Sequence, residues 1–358
     1  MAKTKLSDKI NNAINVPSTT NVGNFDLKKF KKSKNLTTNV NFKPQSYIKV
    51  SEALQEIIGI DGIPMGMITL LRGHSDTGKT TALLEIIKSC QKQGVLPVII
   101  ITEMKWSWEH AIQMGMQVVE EVDDDGVIYH GGDFLYVDRS SVNSIEDVAA
   151  FMNGLMFDQK SGKLPRDLCF LWDSIGSVPS QQSIDSKKNN NEWNAGAMST
   201  QFGSNINQNI MLSRKEGYPY TNTFVAVNKV WVQKPQAYGA MPTLKNSCGD
   251  KMFFDAALQI QFGGVTTSGT SKITATRGGK TVEFAKRTKV QINKNHLTGL
   301  STNGTIIATP HGFIKDTPSA INNYKKEHGD TWISILGGSD FELVEEDGEE
   351  TMTAQTEE

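Results

Sequence analysis

The sequence has few cysteines, and it has no apolar run of membrane-spanning length. Its three cysteines, Cys90, Cys169 and Cys248, are an odd number without metal-like spacing, which argues against a disulfide framework and a zinc site. Cys90 and Cys169 lie in apolar stretches, so we expect them in the core of a protein from a reducing compartment. The first residues also lack the apolar segment of a signal peptide. We therefore expect a soluble, cytoplasmic protein with no membrane partner.

Positive charge is missing from the end of the chain, and negative charge is scarce at its beginning. There is no lysine or arginine from Asp340 onward, whereas the first fifty residues are rich in lysine and contain only two acidic residues, Asp8 and Asp26. We expect residues 1–46 to form a flexible basic arm that docks on an adjacent subunit. A short helix is expected within it, near Leu27–Phe30. Residues 340–358 would form a flexible acidic tail that repels or mimics nucleic acid. The alternative is that both ends are merely solvated and disordered.

A phosphate-loop motif organises the rest of the chain. Residues 73–80 read GHSDTGKT and fit G-x-x-x-x-G-K-[ST], after a predicted strand at Met67–Leu71 and before a predicted helix at Thr80–Gln93. In this pattern the backbone N–H groups cradle phosphate oxygens, Lys79 reaches the β- and γ-phosphates, and the Thr80 hydroxyl can coordinate Mg²⁺. The predicted nucleoside triphosphate site consists of Gly73, His74, Ser75, Asp76, Thr77, Gly78, Lys79, Thr80 and Thr81.

Three further apolar runs end in polar residues. Val95–Ile101 leads to Glu103, Leu168–Trp172 leads to Asp173, and Thr223–Val227 leads to Asn228 and Lys229. Continuous apolar runs indicate strands buried on both faces, and ligands of open α/β sheets lie beyond the carboxyl ends of such strands.

Each of these strand-end residues has a functional and a structural interpretation. Asp173 is the expected Mg²⁺ ligand, bound directly or through a water molecule, or alternatively a cap of the next turn. Glu103 can orient the water that attacks the γ-phosphate, or it is a solvated acid at a strand end. Asn228 and Lys229 could sense the γ-phosphate, although polar residues end many strands.

The hydrophobic pattern of the sequence changes in its C-terminal part. Alternating apolar and polar residues at Ala257–Phe262, Ile273–Ala275, Thr281–Phe284 and Val290–Asn293 predict half-buried strands of a hairpin-rich sheet. The predicted fold is therefore α/β, with a mostly parallel sheet that antiparallel strands extend at one edge. A further helix is predicted between Ile48 and Ile58. We assign residues 47–300 to the core and residues 301–339 to a small C-terminal segment.

Two long polar stretches, near 178–200 and 230–250, are predicted to be loops. They follow strands that end at the nucleotide, and loops of this length are either functional or disordered. Aromatic side chains can stack on bases and lysines can meet phosphates, so we expect these loops to bind single-stranded nucleic acid. The residues expected to do so are Lys187, Lys188, Trp193, Trp231, Lys234, Tyr238 and Lys245.

The order of these parts resembles the RecA family of ATP-dependent DNA strand-exchange proteins, and within it the phage recombinases of the UvsX kind. The likeness covers about residues 46–300. It rests on GIPMG at 62–66, GHSDTGKT, Glu103 with Gly115 twelve residues later, LCFLWDS at 168–174, FVAVNK at 224–229, and KNH at 294–296. The phosphate loop is shared with many NTPases, so the ordered combination carries the resemblance.

The resemblance implies a role for each matching residue. Glu103 would be the general base or water-positioning acid, and Asp173 would complete the Mg²⁺ site. Lys229 would be the γ-phosphate sensor, where the family has glutamine or histidine. Lys294 and His296 match two basic residues that reach across a filament interface to the neighbouring subunit's γ-phosphate, and His296 departs from the family's lysine or arginine. An exposed strand face is the alternative for both.

The family also implies a RecA-like P-loop NTPase core that uses ATP and Mg²⁺. His110 lies where the family stacks an aromatic ring on adenine, and Trp108 is a nearby substitute. We expect a DNA-dependent ATPase that forms filaments on single-stranded DNA and pairs it with homologous duplex DNA. A single-strand-binding protein or a loading mediator would be a further partner, in the cytoplasm of a phage-infected bacterium.

Two other functions compete with this expectation. A RecA-fold ring helicase would be expected to carry an additional folded domain. A DNA-bound ATP switch that acts as a recombination mediator would not need the complete set of Lys79, Thr80, Glu103 and Asp173.

Overall fold

The structure is a computed structural model that describes residues 26–34, 42–233, 242–265, 269–277 and 279–328, together with the backbone of two strands at 342–346 and 349–353. Contacts divide the chain into two units, residues 1–41 and residues 42–358. The described element of the first unit is helix α1 (Leu27–Ser33), whose N-cap Asp26 accepts hydrogen bonds from the N–H groups of Lys28 and Lys29. The predicted short helix is therefore confirmed.

The second unit is built from helices on a large mixed sheet. Its helices are α2 (Glu52–Ile58), α3 (Lys79–Gln93), α4 (Trp108–Gln113), α5 (Ile145–Lys160), α6 (Gln181–Asp185), α7 (Asn191–Met198), a π-helix (Ser199–Ile206), α8 (Asn207–Leu212), α9 (Lys251–Asp255) and α10 (Pro318–His328). Its strands are β1 (Tyr47–Ile48), β2 (Ile63–Pro64), β3 (Ile68–Gly73), β4 (Leu96–Ile101), β5 (Val119–Val122), β6 (Ile128–Gly131), β7 (Leu135–Asp138), β8 (Leu168–Ile175), β9 (Asn222–Gln233), β10 (Thr243–Asn246), β11 (Leu258–Phe262), β12 (Thr270–Arg277), β13 (Lys280–Asn295), β14 (Thr302–Thr309), β15 (Gly312–Lys315), β16 (Glu342–Glu346) and β17 (Glu349–Thr353).

The central part of the sheet is parallel. Strands β11, β3, β9, β8, β4 and β7 lie side by side in that order, and each neighbouring pair is parallel. Strand β13 then pairs antiparallel with β11, β12 and β14, and β15 pairs antiparallel with β14. The prediction of a mostly parallel sheet extended by antiparallel strands is confirmed.

Helices cover both faces of this parallel region. Along β4, Ile99 and Ile101 pack on the side of α3, whereas Val98 and Ile100 pack on the side of α5. All four side chains are nearly inaccessible to solvent, and burial of each stabilises the fold by about 1.5–3 kcal/mol. This two-sided burial explains why the strand reads as a continuous apolar run.

Local sequence signals fix the helices nearest the site. Helix α3 ends at Gly94, which adopts the left-handed conformation with φ of +73° and caps the final carbonyl groups. Helix α5 begins with a capping box in which Ser144 and Asp147 exchange side-chain hydrogen bonds with each other's N–H groups. Among the described residues, no helix is long and apolar enough to span a membrane.

The prediction of a long loop near 178–200 is wrong. Most of this stretch is helical, in α6, α7 and the π-helix. Ser180 and Asn190 cap the first two helices by accepting hydrogen bonds from the N–H groups of Ser183 and Glu192. The side-chain oxygen of buried Asn194 accepts from the N–H of Ser180 at 2.8 Å. The polar residues that suggested a loop therefore serve as caps and buried ties.

Part of the second predicted loop, near 230–250, is β-strand. Strand β9 continues to Gln233, and β10 pairs with it antiparallel, so part of the stretch is a hairpin. Residues 234–241, which include Lys234 and Tyr238, lie outside the described residues.

The helix predicted from Ile48 begins only at Glu52, because Ile48 is in a strand that pairs with β2.

Strand β11 is not half-buried as predicted. Its five residues are all buried between β3 and β13. The polar members of its alternation, Gln259 and Gln261, are 1% and 3% exposed. Gln261 accepts a hydrogen bond from Asn293 at 2.9 Å, and Gln259 donates to the carbonyl of Phe253. Polar partners on neighbouring elements thus replace water at one atom of each amide, whereas Gln259 Oε1 and Gln261 Nε2 have no hydrogen-bond partner among the described residues.

Candidate functional site

The phosphate loop connects β3 to α3, and both of its motif glycines meet close neighbours. A Cβ atom on Gly73 would lie 2.2 Å from the carbonyl oxygen of Phe262 in the adjacent strand β11. Gly78 has φ of +96°, and a Cβ atom there would lie 3.1 Å from the ring of Phe313. The turn therefore requires glycine at both positions.

Buried Glu85 on α3 fixes the strand that supports this loop. Its carboxylate accepts hydrogen bonds from the N–H of Phe313 at 2.8 Å and from the N–H of Ser51 at 3.1 Å. The ring of Phe313 also stacks on Phe262, with centroids 5.9 Å apart. Burial raises the pKa of Glu85, although the two N–H groups and Lys88 oppose the shift.

The interior of the loop is held by its own side chains. Thr77 donates a hydrogen bond to the carbonyl of His74 at 2.9 Å, and the Lys79 ammonium donates to the same carbonyl. Lys79 is only 6% exposed. Burial lowers its pKa to about 8, with nearby Asp173 opposing the shift. A buried ammonium at the start of a helix is suited to bind phosphate oxygens.

Asp173 faces the loop from the end of β8. The Thr80 hydroxyl donates to an Asp173 carboxylate oxygen at 3.4 Å. Burial raises the pKa of Asp173 to about 6, with the negative charge of Glu103 adding to the effect and Lys79 opposing it. A carboxylate and a hydroxyl are the hard oxygen donors that Mg²⁺ prefers, so this pair fits the ion chemically.

Glu103, just beyond β4, has two side-chain partners. Its Oε2 atom forms an ion pair with Lys229 Nζ at 2.7 Å, and its Oε1 atom accepts a hydrogen bond from Ser174 Oγ. Burial by itself would raise the pKa of Glu103, but the bonds from Lys229 and Ser174 outweigh it and hold the pKa below its usual value. Glu103 is therefore a charged carboxylate at the strand ends.

Two adjacent cavities surround these residues. The larger, of about 630 Å³, extends from the phosphate loop along α4 and the strands β13 and β14. The smaller, of about 90 Å³, is lined by Glu103, Asp173 and Lys229. Asp76, Lys79 and Thr80 line both cavities. The larger is in the size range of small-molecule sites, and the smaller suits a compact group next to Lys79.

The structure places the two candidate adenine-stacking residues differently. His110 lines the larger cavity, and burial lowers its pKa. Trp108 instead packs on Phe134 and Tyr136, with ring centroids 5.7 and 5.0 Å away. Sequence reasoning missed the opposite wall of the cavity, which comes from distant strands. Its residues include Phe284, Ala285, Lys286, Thr288, Ala308, Thr309 and Pro310.

Asn228 lies at the strand ends but faces away from both cavities. It is 1% exposed, and its side-chain amide exchanges two hydrogen bonds with the backbone of Ser247, at 3.1 and 3.3 Å. The Ser247 hydroxyl donates to the carbonyl of Lys229 at 3.4 Å. The residue pair at the end of the parallel part of β9 is therefore tied to the segment that follows β10.

Lys294 and His296 line neither cavity of their own chain. The Lys294 ammonium donates to the carbonyl of Phe254 at 2.6 Å, and burial lowers the pKa of Lys294 while Asp255 opposes the shift. His296 is exposed. Their expected contact with a neighbouring subunit stays a prediction.

The β9–β10 hairpin brings two predicted DNA-binding residues together. Trp231 and Lys245 are direct cross-strand partners, and both are exposed. Lys187 and Lys188 are exposed beyond the end of α6, and Trp193 is partly buried on α7. The exposed indole can stack on a base, and the neighbouring ammonium group can contact a phosphate.

Comparisons with known proteins match only part of the chain. A family model described as RecA N-terminal domain matches residues 23–124. Protein RecA of Ureaplasma parvum serovar 3 is 40% identical over 58 residues, which are 16% of this chain and 17% of the relative. Protein RecA of Oleidesulfovibrio alaskensis is 36% identical over 83 residues, or 23% and 22% of the two chains.

A longer match is to Protein RecA of Aquifex aeolicus, at 30% identity over a 132-position alignment that covers 32% of this chain and 36% of the relative. The chain thus spans between 17% and 36% of the length of these three relatives. The matches support a RecA-family protein.

Proposed function

We propose that this chain is an ATP-dependent DNA recombinase of the phage UvsX type, which forms filaments on single-stranded DNA and exchanges strands with homologous duplex DNA. One observation carries the proposal. Strand β9 contributes Lys229 to the smaller cavity and, two residues later on the same face, exposes Trp231 opposite Lys245. A bound triphosphate and a bound polynucleotide would therefore both contact strand β9.

Residues of the two cavities divide the tasks of binding ATP. The larger cavity would hold the nucleoside, with His110 against the base, and the loop N–H groups and Lys79 would hold the β- and γ-phosphates. The Thr80 hydroxyl and the Asp173 carboxylate would hold Mg²⁺. When bound, Mg²⁺ neutralises charge on the β- and γ-phosphate oxygens.

Hydrolysis of ATP depends mainly on the placement of water and on charge compensation. Glu103 lines the cavity that would hold the terminal phosphate, and its carboxylate would orient the attacking water. Lys79 would stabilise the negative charge that develops on the phosphate oxygens. Lys294 and His296 of a neighbouring copy would add positive charge from across the filament interface, which would make turnover depend on assembly.

The hydrogen bonds between Asn228 and Ser247 would transmit the state of the nucleotide to DNA. They join the strand that carries Lys229 to the segment after the hairpin with Trp231. Lys187, Lys188 and Trp193 would add further contacts to a single strand, with lysines on phosphates and aromatic rings on bases. A single-strand-binding protein or a loading mediator would assist assembly.

The test is assembly and strand exchange by the full chain. Electron microscopy with single-stranded DNA and a non-hydrolysed ATP analogue should show helical filaments, and DNA should stimulate ATP hydrolysis and strand exchange. Closed rings with unwinding activity would favour a helicase instead. Lys79→Ala should abolish both ATP turnover and filament formation. Assembly on DNA that is equally strong without nucleotide, with ADP and with the analogue would contradict the proposal.

A further inference from the structure

We propose that Lys229 and Ser174 form a two-donor latch on Glu103, and that the terminal phosphate of a bound triphosphate opens it by drawing Lys229 away. The inference rests on the proposed function, because it assigns a regulation to the same nucleotide site. It adds Ser174 as a positioning residue and gives Lys229 a second partner within the site.

The latch engages both oxygens of the carboxylate. Lys229 Nζ lies 2.7 Å from Glu103 Oε2, and Ser174 Oγ donates to Glu103 Oε1. The Glu103 side chain is 15% exposed, so solvent competes weakly with these donors. A carboxylate whose charge is paired with an ammonium group polarises a water molecule less than an unpaired one does. Lys229 therefore restrains the residue that would orient the attacking water.

Ser174 is the fixed donor of the pair. It is 1% exposed, and its carbonyl oxygen accepts hydrogen bonds from Thr102 Oγ1 at 3.2 Å and from Ser177 Oγ at 2.6 Å. The Thr102 hydroxyl in turn accepts from the indole of Trp172 at 2.9 Å. These buried bonds hold the serine in place, so it would keep Glu103 oriented whether or not Lys229 is paired.

Lys229 is the donor that can move. Its side chain is 39% exposed and carries the ammonium on a flexible four-carbon stem. It lines the same 90 Å³ cavity as Lys79, Thr80 and Glu103. A terminal phosphate in this cavity would carry more negative charge than one carboxylate, so it would compete for the ammonium. A diphosphate lacks this group and would leave the latch closed.

A double-mutant cycle on the full chain separates this latch from simple charge repulsion. The affinities of wild type, Glu103→Gln, Lys229→Met and the double variant would be measured by calorimetry for ADP and for a non-hydrolysed ATP analogue. Glu103→Gln releases Lys229 from its carboxylate, so the preference for the analogue over ADP should rise about tenfold. In the Lys229→Met background the same change should have little effect, because no ammonium remains to be released.

Ser174→Ala provides an independent readout. It removes the fixed donor and leaves the Lys229 pair, so the turnover rate should fall at least several-fold while the preference for the analogue stays unchanged. Lys163→Met is the matched control for Lys229→Met. It removes an exposed ammonium group whose ion pair with Asp158 lies outside both cavities. If Lys229→Met does not fold, Lys229→Gln takes its place in the cycle.

The possible failures are distinguishable. An equal gain from Glu103→Gln in both backgrounds would overturn the latch, because it would show that the carboxylate merely repels the phosphate. No gain in either background would overturn it as well. In both cases a wild type that binds and hydrolyses ATP would leave the proposed function intact. A wild type that binds neither nucleotide would remove the proposed function and the latch together.

Discussion

The close approach of Gly73 to strand β11 gives a sharp prediction for stability. Gly73→Ala places a Cβ atom 2.2 Å from the Phe262 carbonyl oxygen, and this neighbour is backbone in the middle of a sheet. Strained backbone at φ of +154° and overpacking would together destabilise the fold by about 4 kcal/mol. Since β11 cannot move without β3 and β13, we expect the phosphate loop to shift instead.

Gly94→Ala is the matched control. Gly94 has φ of +73°, but a Cβ atom there would meet nothing within 4 Å. Gly94→Ala should therefore lower the free energy of unfolding only by the cost of backbone strain, about 1–2 kcal/mol. In thermal melts of the full chain, at about 2 °C per kcal/mol, the midpoint should fall by about 8 °C for Gly73→Ala and by about 3 °C for Gly94→Ala.

Nucleotide binding should separate the two variants further. Gly94→Ala should bind an ATP analogue like the wild type, because Gly94 lies at the far end of α3 from the loop. Gly73→Ala should lose at least tenfold in affinity, because the N–H groups that would cradle phosphate are displaced. If both variants melt within about 2 °C of each other and bind alike, the contact between the loop and β11 does not constrain the loop.

Three other outcomes test separate parts of the structure. The folded state holds the Glu85 proton more tightly than the unfolded chain does, because burial raises the pKa of Glu85. The stability of the wild type should therefore fall relative to that of Glu85→Gln as the pH rises from 4.5 through the raised pKa. A difference in melting temperature that stays constant up to about pH 7.5 would refute this. Trp231→Ala should weaken single-stranded DNA binding by about 1–3 kcal/mol at an unchanged salt dependence, whereas Lys245→Ala should lower the salt slope by about 0.7, and equal slopes would contradict the assignment. Removal of residues 340–358 should strengthen DNA binding, most at low salt, and an unchanged affinity would remove the role of the acidic tail.

The positions of the candidate site residues at strand ends follow from local sequence signals. The phosphate loop, Glu103 and Asp173 each follow an apolar strand directly, and parallel strands bring their carboxyl ends to one edge. Ser174 follows Asp173 directly in the sequence, but its bond to Glu103 depends on the distance between two strand ends. No pattern in one strand reveals that distance.

Other features depend on tertiary contacts. The cavity wall with Lys286 and Thr309 comes from strands far along the chain, and nothing near the phosphate loop indicates them. The composition of the polar stretch around Asn194 predicts a loop, because helix caps and buried amides use the same residue types as loops. The alternation around Gln261 predicts a half-buried strand, because nothing in that strand reveals its buried partner Asn293 on another strand.

The support of the phosphate loop by strand β15 has a consequence for protein synthesis. Phe313 packs against Gly78 and is held by Glu85, and these two hydrogen-bonded residues are 228 positions apart in the chain. At about 5–20 residues per second, the ribosome would make Phe313 about 10–45 s after Glu85. A nascent chain would therefore carry an unfinished pocket next to the phosphate loop until Phe313 has emerged from the ribosome.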